Sequence, residues 1–181
     1  NTALIQLQDL DRDGERETAV TFFRVSEAEK PLKIYFFTRT AEDTYTVSAM
    51  VEGNGTAIYR VDYVDLNGSG CKEVVVSWQM STGVYLLGAY SLEEAMVRSL
   101  QYAASAPAGS ATAQGLPDRE ALRATEWMTT VYDDYALYDL DQDTRTELAV
   151  VRVDKAGTNS AVDLYGWRDG SFMVRASAPL S

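Results

Sequence analysis

Residues 139–147 have the sequence D-L-D-Q-D-T-R-T-E and are followed at once by the apolar run L-A-V-V at 148–151. The same arrangement occurs twice more, as D-L-D-R-D-G-E-R-E at 9–17 and as D-L-N-G-S-G-C-K-E at 65–73. We name the three segments loop one (9–17), loop two (65–73) and loop three (139–147). They share the pattern D-L-[DN]-x-[DS]-[GT]-x-x-E, and this recurrence indicates a chain built from three repeats.

Acidic residues are concentrated in these loops, which hold 11 of the 27 Asp and Glu residues of the chain. Side chains at loop positions one, three and five converge, and carboxylates so close repel one another unless a cation neutralises them. Calcium accepts about six to eight oxygens from carboxylates, amides and backbone carbonyls. The pattern therefore predicts calcium sites, with position seven contributing a backbone oxygen. The candidate ligand residues are Asp9, Asp11, Asp13, Glu15 and Glu17 in loop one; Asp65, Asn67, Ser69, Cys71 and Glu73 in loop two; and Asp139, Asp141, Asp143, Arg145 and Glu147 in loop three.

The loops differ from EF-hands, which need an acidic ligand at position 12 and a helix on each side. Position 12 is Val20, Val76 or Val150, and the closing acid stands at position nine instead. Residues 59–64 alternate in polarity before loop two, and residues 74–76 are β-branched after it. Both features predict strands, so we expect strand–loop–strand sites.

Position six is glycine in loops one and two, Gly14 and Gly70. Glycine there predicts a sharp turn, because it tolerates a positive φ. Loop three has Thr144 there. We expect Thr144 to keep the same left-handed conformation, at a cost on the order of 1–3 kcal/mol. Loop two has only two charged ligands, Asp65 and Glu73. Since ligand charge helps to set calcium affinity, we expect loop two to be the weakest site.

Strand patterns between the loops predict about four strands for each repeat. The sequence R-D-G at 168–170 predicts a hairpin turn. Residues 95–102 are a strand candidate, and residues 118–132 predict a helix. The predicted fold is mostly β, with three four-stranded antiparallel blade-like repeats in a partial or open β-propeller and one short helix before the third repeat. Residues 1–181 are expected to form a single repeat domain, with repeats at about 1–54, 55–115 and 116–181.

The D-L-D-x-D-G-x-x-E loop with an apolar strand after it resembles the FG-GAP/VCBS repeat, which is found in integrin-type β-propellers and in bacterial secreted proteins and lipoproteins. The resemblance covers three repeats and most of the chain. It implies Ca²⁺ bound at the loops, blades of four antiparallel strands, and an extracellular or cell-envelope location. The chain departs from the family pattern at Asn67, Ser69 and Thr144.

Composition restricts the classes of function. The net charge of −11 argues against nucleic acid or an anionic membrane as a partner. The chain has no His, which removes the commonest general base and metal ligand, and a single Cys, which excludes an intrachain disulfide. No apolar run is long enough to insert into a membrane.

The leading hypothesis is a non-catalytic, calcium-binding surface or secreted module that recognises a protein or a glycan. We expect further propeller repeats or an oligomer partner, because about four to eight blades close a propeller. The alternative is a hydrolase domain, or an accessory portion of one, acting on polysaccharide. Its candidate acid pairs would be Asp133 with Asp134 and Glu93 with Glu94.

Overall fold

Strands dominate the fold. The computed structural model describes residues 5–26, 28–41, 44–105, 119–156 and 159–180. The elements within these residues are β1 (Ile5–Gln8), β2 (Thr18–Arg24), β3 (Leu32–Ala41), β4 (Thr44–Gly53), β5 (Ala57–Val64), β6 (Glu73–Ser81), β7 (Val84–Ser91), α1 (Glu93–Ser105), α2 (Arg119–Leu122), β8 (Thr125–Tyr132), β9 (Asp134–Tyr138), β10 (Glu147–Arg152), β11 (Ala161–Arg168) and β12 (Ser171–Pro179).

The strands form three four-stranded antiparallel sheets, which we call sheet one (β1–β4), sheet two (β5–β8) and sheet three (β9–β12). In every sheet the spatial order of the strands follows the chain. The prediction of a mostly-β chain with three such sheets is confirmed. Each acidic loop joins the first and second strands of its sheet, so the strand–loop–strand prediction is also confirmed.

The predicted hairpin joins β11 to β12. Arg168 pairs with Ser171, and only two residues lie between them. Those residues, Asp169 and Gly170, have φ angles of +50° and +79°. Two positive φ angles in a two-residue connection match the twist of antiparallel strands, which is why Asp-Gly favours this turn.

The prediction was wrong around the helices. Residues 95–102 belong to helix α1, and residues 125–132 form strand β8, so two short helices replace the one predicted. α1 has two acids in its first turn, which favours a helix N-terminus. β8 is rich in Thr, Val and aromatic residues, which lose rotamer freedom in a helix. Neither helix in the described part of the chain is long and apolar enough to cross a membrane.

The chain divides into two compact units. The first, Asn1–Asn54 with Ser91–Thr125, holds sheet one and both helices. Its helices pack on β4. Val47 and Met50 of β4 form a buried cluster with Leu122 of α2. Full burial of side chains of this size contributes about 1.5–3 kcal/mol each, so this cluster fixes the short α2 on the sheet.

In the second unit, Gly55–Tyr90 with Glu126–Ser181, sheets two and three share one hydrophobic core. The Trp127 and Trp167 rings meet there, with centroids 4.8 Å apart. The buried members of the core are Leu66, Val75, Leu87, Ala89, Tyr132, Leu148, Val150 and Phe172. Leu66 lies at position two of loop two, so the loop begins from a side chain that is fixed in the core.

A buried ion cluster ties α2 to sheet one. Lys33 and Glu52 are paired across β3 and β4, and both side chains are about 3% exposed. Arg119 and Arg123 also bind the Glu52 carboxylate. Burial pushes the pKa of Glu52 upward, but hydrogen bonds and charge from Lys33 and Arg119 outweigh burial, so the pKa lies below its usual value.

We predict that Glu52→Gln lowers the free energy of unfolding by about 3–5 kcal/mol, because Lys33 loses its buried counter-charge. The folded pKa of Glu52 is lower than the unfolded one. Its contribution to stability is therefore complete above the unfolded pKa and is lost as pH falls through the folded pKa. Urea unfolding from about pH 3 to 7 should show this acid loss in the wild type and not in the variant. The exposed control Glu93→Gln should keep the wild-type profile, and identical profiles for all three proteins would contradict the prediction.

Candidate metal centre

The three loops share one backbone conformation. At position six, Gly14, Gly70 and Thr144 have φ angles of +94°, +89° and +75°. Thr144 therefore keeps the left-handed conformation of the two glycines, as the sequence predicted. Position four is also left-handed in every loop, at Arg12 (+62°), Gly68 (+77°) and Gln142 (+61°). Sequence reasoning missed position four, because only Gly68 signals a positive φ.

One hydrogen bond closes each loop: the backbone N–H of position six donates to the carboxylate of position one. The N···O distances are 3.1 Å for Gly14 to Asp9, 2.9 Å for Gly70 to Asp65 and 3.1 Å for Thr144 to Asp139. Further N–H groups donate from position five to three and from position seven to five. The backbone therefore folds around the side-chain oxygens. Positions one, three and five converge in loop one, whereas loop three brings together positions one, three and nine.

In loop one, Asp9, Asp11 and Asp13 each offer a carboxylate oxygen within 4.8 Å of the others. Glu17 adds a buried oxygen, Oε2, that has no hydrogen-bond partner among the described residues. Burial, followed by the charges of Asp11, Asp13 and Asp9, raises the pKa of Glu17. A cation placed among these oxygens would reverse this repulsion. The position-seven side chain, Glu15, is exposed, so it leaves only its backbone for such a site.

Loop three gathers Asp139, Asp141 and Glu147 within the same 4.8 Å limit. Asp139 Oδ1 is buried without a hydrogen-bond partner in the described part of the chain. Glu147 is buried and accepts the N–H of Leu140 at 2.8 Å. Asp143 lies further out and accepts the N–H of Arg145. Loop three therefore offers a cation the same kind of incomplete oxygen shell as loop one.

Loop two satisfies its acids internally. Both oxygens of Asp65 accept backbone hydrogen bonds, from Gly68 at 2.7 Å and Gly70 at 2.9 Å. Glu73 Oε2 accepts the N–H of Leu66 at 2.8 Å. Because Asn67 and Ser69 are neutral, loop two lacks a third acid for an acidic cluster. The Cys71 thiol is exposed at position seven. The rank of loop two as the weakest site stays a prediction.

Loops two and three also touch each other. The N–H of Thr146 donates to the carbonyl oxygen of Asp65 at 2.9 Å. A Cβ at Gly68 would lie 2.9 Å from Arg145 Nε, so the Arg145 side chain covers Gly68. Arg145 thus packs on the neighbouring loop, while its backbone remains the candidate ligand of loop three.

The acid pairs considered for hydrolysis lie elsewhere, and three of their four residues have structural partners. Asp133 accepts the N–H of Val153 at 2.5 Å, and Asp134 accepts the N–H of Tyr135 at 2.8 Å. Glu94 accepts the hydroxyl of Thr125 at 3.3 Å, from the first turn of α1. No feature of these contacts favours a catalytic role for either pair.

We predict that Thr144→Gly raises the free energy of unfolding by about 1 kcal/mol, because glycine adopts a φ of +75° without strain. Calcium affinity should rise with it, since the ligands on both sides are unchanged. Thermal melting and calorimetric calcium titration measure the two effects. Thr146→Gly, two residues along the same loop at an ordinary φ, should instead destabilise, because glycine loses more chain entropy on folding. Equal effects of the two substitutions would contradict the prediction.

We predict that the contribution of Glu73 to stability depends on pH in the opposite sense to that of Glu52. Burial, assisted by the charge of Asp65, raises the pKa of Glu73 from 4.5 to about 7. The folded state therefore favours the protonated form, and stability falls as pH rises from the unfolded to the folded pKa. Glu73→Gln removes the charge and still accepts the Leu66 N–H. At about pH 8 it should raise the free energy of unfolding by about 2–3 kcal/mol, with little change at about pH 4. Urea unfolding measures both values, and a loss of stability at pH 8 would show that loop two needs the charge.

Comparison with known proteins gives no match, whether against protein-family models, curated proteins or solved structures. The resemblance of the three loops to FG-GAP/VCBS repeats thus stays a hypothesis carried by their residues. What the loops can bind follows from their own oxygens, burial and charge.

Proposed function

We propose that this chain is a non-catalytic, calcium-binding β-repeat module of the FG-GAP/VCBS type, which recognises a protein or a glycan in the extracellular space or the cell envelope. The observation that carries the proposal is the pair of acidic clusters in loops one and three. Each cluster is backed by a buried carboxylate oxygen, Glu17 Oε2 or Asp139 Oδ1, that no described group satisfies.

Calcium fits the chemistry of these donors. Every side-chain donor in the two clusters is a carboxylate oxygen, and hard cations prefer oxygen. Loop one would hold the ion with Asp9, Asp11, Asp13 and Glu17; loop three would use Asp139, Asp141, Asp143 and Glu147. In both loops the first and second strands would be tied together at the bound cation. The role of the ion is then structural, because it neutralises the excess negative charge of the folded loops.

The sheets support a blade-like arrangement. Sheets two and three share a core through Val75 on one side and Leu148 and Val150 on the other. Val75 stands two residues after its loop-closing glutamate, whereas Leu148 and Val150 stand one and three residues after theirs. Sheets two and three therefore contact each other through opposite faces of their second strands, β6 and β10. Sheets that pack in this way can be continued by further sheets. Further repeats, or a second copy of the chain, are the partners this arrangement suits.

A surface of the second unit suits ligand recognition. Tyr59 stands at a β-bulge in the edge strand β5 and is 63% exposed. Bulges commonly re-aim a side chain near functional sites. The centroid of the Tyr59 ring lies 4.9 Å from that of Tyr85. Arg60, the next residue, forms an ion pair with Asp62 at 2.9 Å. An exposed ring beside planar polar groups favours a glycan over an apolar peptide, because sugars need both stacking and hydrogen bonds.

We predict that the wild type binds calcium at loops one and three, and that Asp11→Asn and Asp141→Asn each abolish one site. Asn67→Ala in loop two should leave both sites intact. Binding to the folded state only stabilises it by about 2.7 kcal/mol at a hundredfold excess over Kd, so EDTA should lower the melting temperature. Titration calorimetry and thermal melting measure both effects. A melting curve that EDTA does not move, or a tightest site in loop two, would refute the proposal.

For recognition, we predict that Tyr59→Ala weakens glycan binding roughly tenfold, the order expected for the loss of one aromatic platform. Binding to an array of bacterial and plant glycans measures the change. Tyr138→Ala is the matched control, because Tyr138 is 69% exposed and lies on another edge strand. Equal binding by the wild type and both variants would rule out the Tyr59 surface.

A further inference from the structure

Arg175 approaches loop three from the far side of its sheet. It lies on β12, the fourth strand, whereas loop three joins the first and second strands of that sheet. Leu164 pairs with Ala176 and Tyr165 with Val174, so Arg175 is the extra residue of a β-bulge. A bulge turns its residue out of the regular alternation of side chains.

A glycine clears the path of this side chain. On β11, a Cβ at Gly166 would lie only 2.6 Å from Arg175 Cδ. Any other residue at this position would force the arginine side chain to shift. With glycine there, Arg175 lies across β11 and reaches the acids of loop three.

The guanidinium of Arg175 ends between two of the three clustered acids. Its Nη1 lies 3.6 Å from Asp141 Oδ2 and 3.7 Å from Glu147 Oε1. These distances are ion-pair distances, longer than hydrogen bonds, so the carboxylate oxygens keep their free lone pairs. The Glu147 side chain is 3% exposed and that of Arg175 is 32% exposed, which protects the interaction partly from solvent screening.

Loop one has a different environment. Asp11, Asp13 and Glu17 form no ion pair with any described residue. β4, the fourth strand of sheet one, also has a bulge, at Ser48. Its hydroxyl donates to the carbonyl of Phe36 at 3.1 Å, so this bulge supplies a neutral group that stays within the sheet. The bulge on the fourth strand therefore brings a positive charge to the acids of loop three, whereas the bulge on the fourth strand of sheet one brings none.

We propose that Arg175 is a built-in counter-charge of loop three, which holds the acids together without metal and lowers their affinity for calcium. This inference rests on the proposed calcium-binding function. Loop three then fills only at higher calcium concentrations than it would without the charge of Arg175. Arg175 acts through Asp141 and Glu147 and is an affinity-determining residue, since its own side chain offers the metal no ligand.

The test uses the full chain with loop one disabled by Asp11→Asn and Asp13→Asn, so that calorimetric titration with Ca²⁺ reports on loop three. Adding Arg175→Gln should raise calcium affinity roughly tenfold, the order expected when one positive charge a few ångströms away is removed. In EDTA the same substitution should lower the melting temperature, because the acids lose their counter-charge. Saturating calcium should close that gap in melting temperature. Arg168→Gln, an exposed arginine of the same sheet, is the matched control and should change neither quantity.

Opposite signs in the two measurements distinguish a counter-charge from a merely structural arginine, which would lower both affinity and stability. A lower calcium affinity of Arg175→Gln, or an unchanged melting temperature in EDTA, would overturn the proposal. If the wild type binds calcium at loop one and the disabled chain binds none, with or without Arg175→Gln, the inference fails while the proposed function stands. If the wild type and Arg175→Gln both bind none, the proposed function fails as well.

Discussion

Repulsion between converging carboxylates is the constraint on which this structure depends. Each loop places its position-one carboxylate where the N–H of position six can donate to it, and this hydrogen bond closes the turn between two strands. Closing the turn also brings further acids toward the same point, those of positions three and five in loop one and those of positions three and nine in loop three. The bond that forms the loop therefore creates an excess of negative charge that the rest of the chain must offset.

The three loops differ in how far this charge is offset. In loop two, backbone N–H groups satisfy both oxygens of Asp65, and neutral residues replace two acids. In loop three, Arg175 approaches from the fourth strand. In loop one, Glu17 has a buried oxygen with no hydrogen-bond partner among the described residues, and its pKa is raised. Identical backbone geometry is thus compatible with very different demands for a cation.

The sequence predicts those features that depend on neighbours along the chain. The strands around each loop, the Asp169-Gly170 turn and the left-handed Thr144 follow from local patterns, and all are confirmed. The strand predicted at 95–102 and the helix predicted through 125–132 are wrong. In the second case Trp127 and Val131 stand near helical spacing after Leu122 but lie in strand β8, where pairing within the sheet decides the conformation. Arg175 escapes prediction altogether, since its approach to Asp141 depends on a bulge and on Gly166, and neither is visible in a local pattern.

Along the chain, both helices come between β7 and β8, the third and fourth strands of sheet two. This position in the sequence affects how the chain folds. Sheets one and three are meanders in which every pairing is between consecutive strands, so their strands can pair early at a low entropic cost. In sheet two, β8 can pair with β7 only after an excursion through α1 and α2 has been closed. Those helices pack on β4, and this packing restrains the excursion. The pairing of β7 with β8 therefore closes the longest connection between consecutive strands of any sheet and has the largest entropic cost. Until that pairing forms, the backbone groups along the edge of β7 are open to pairing with another chain.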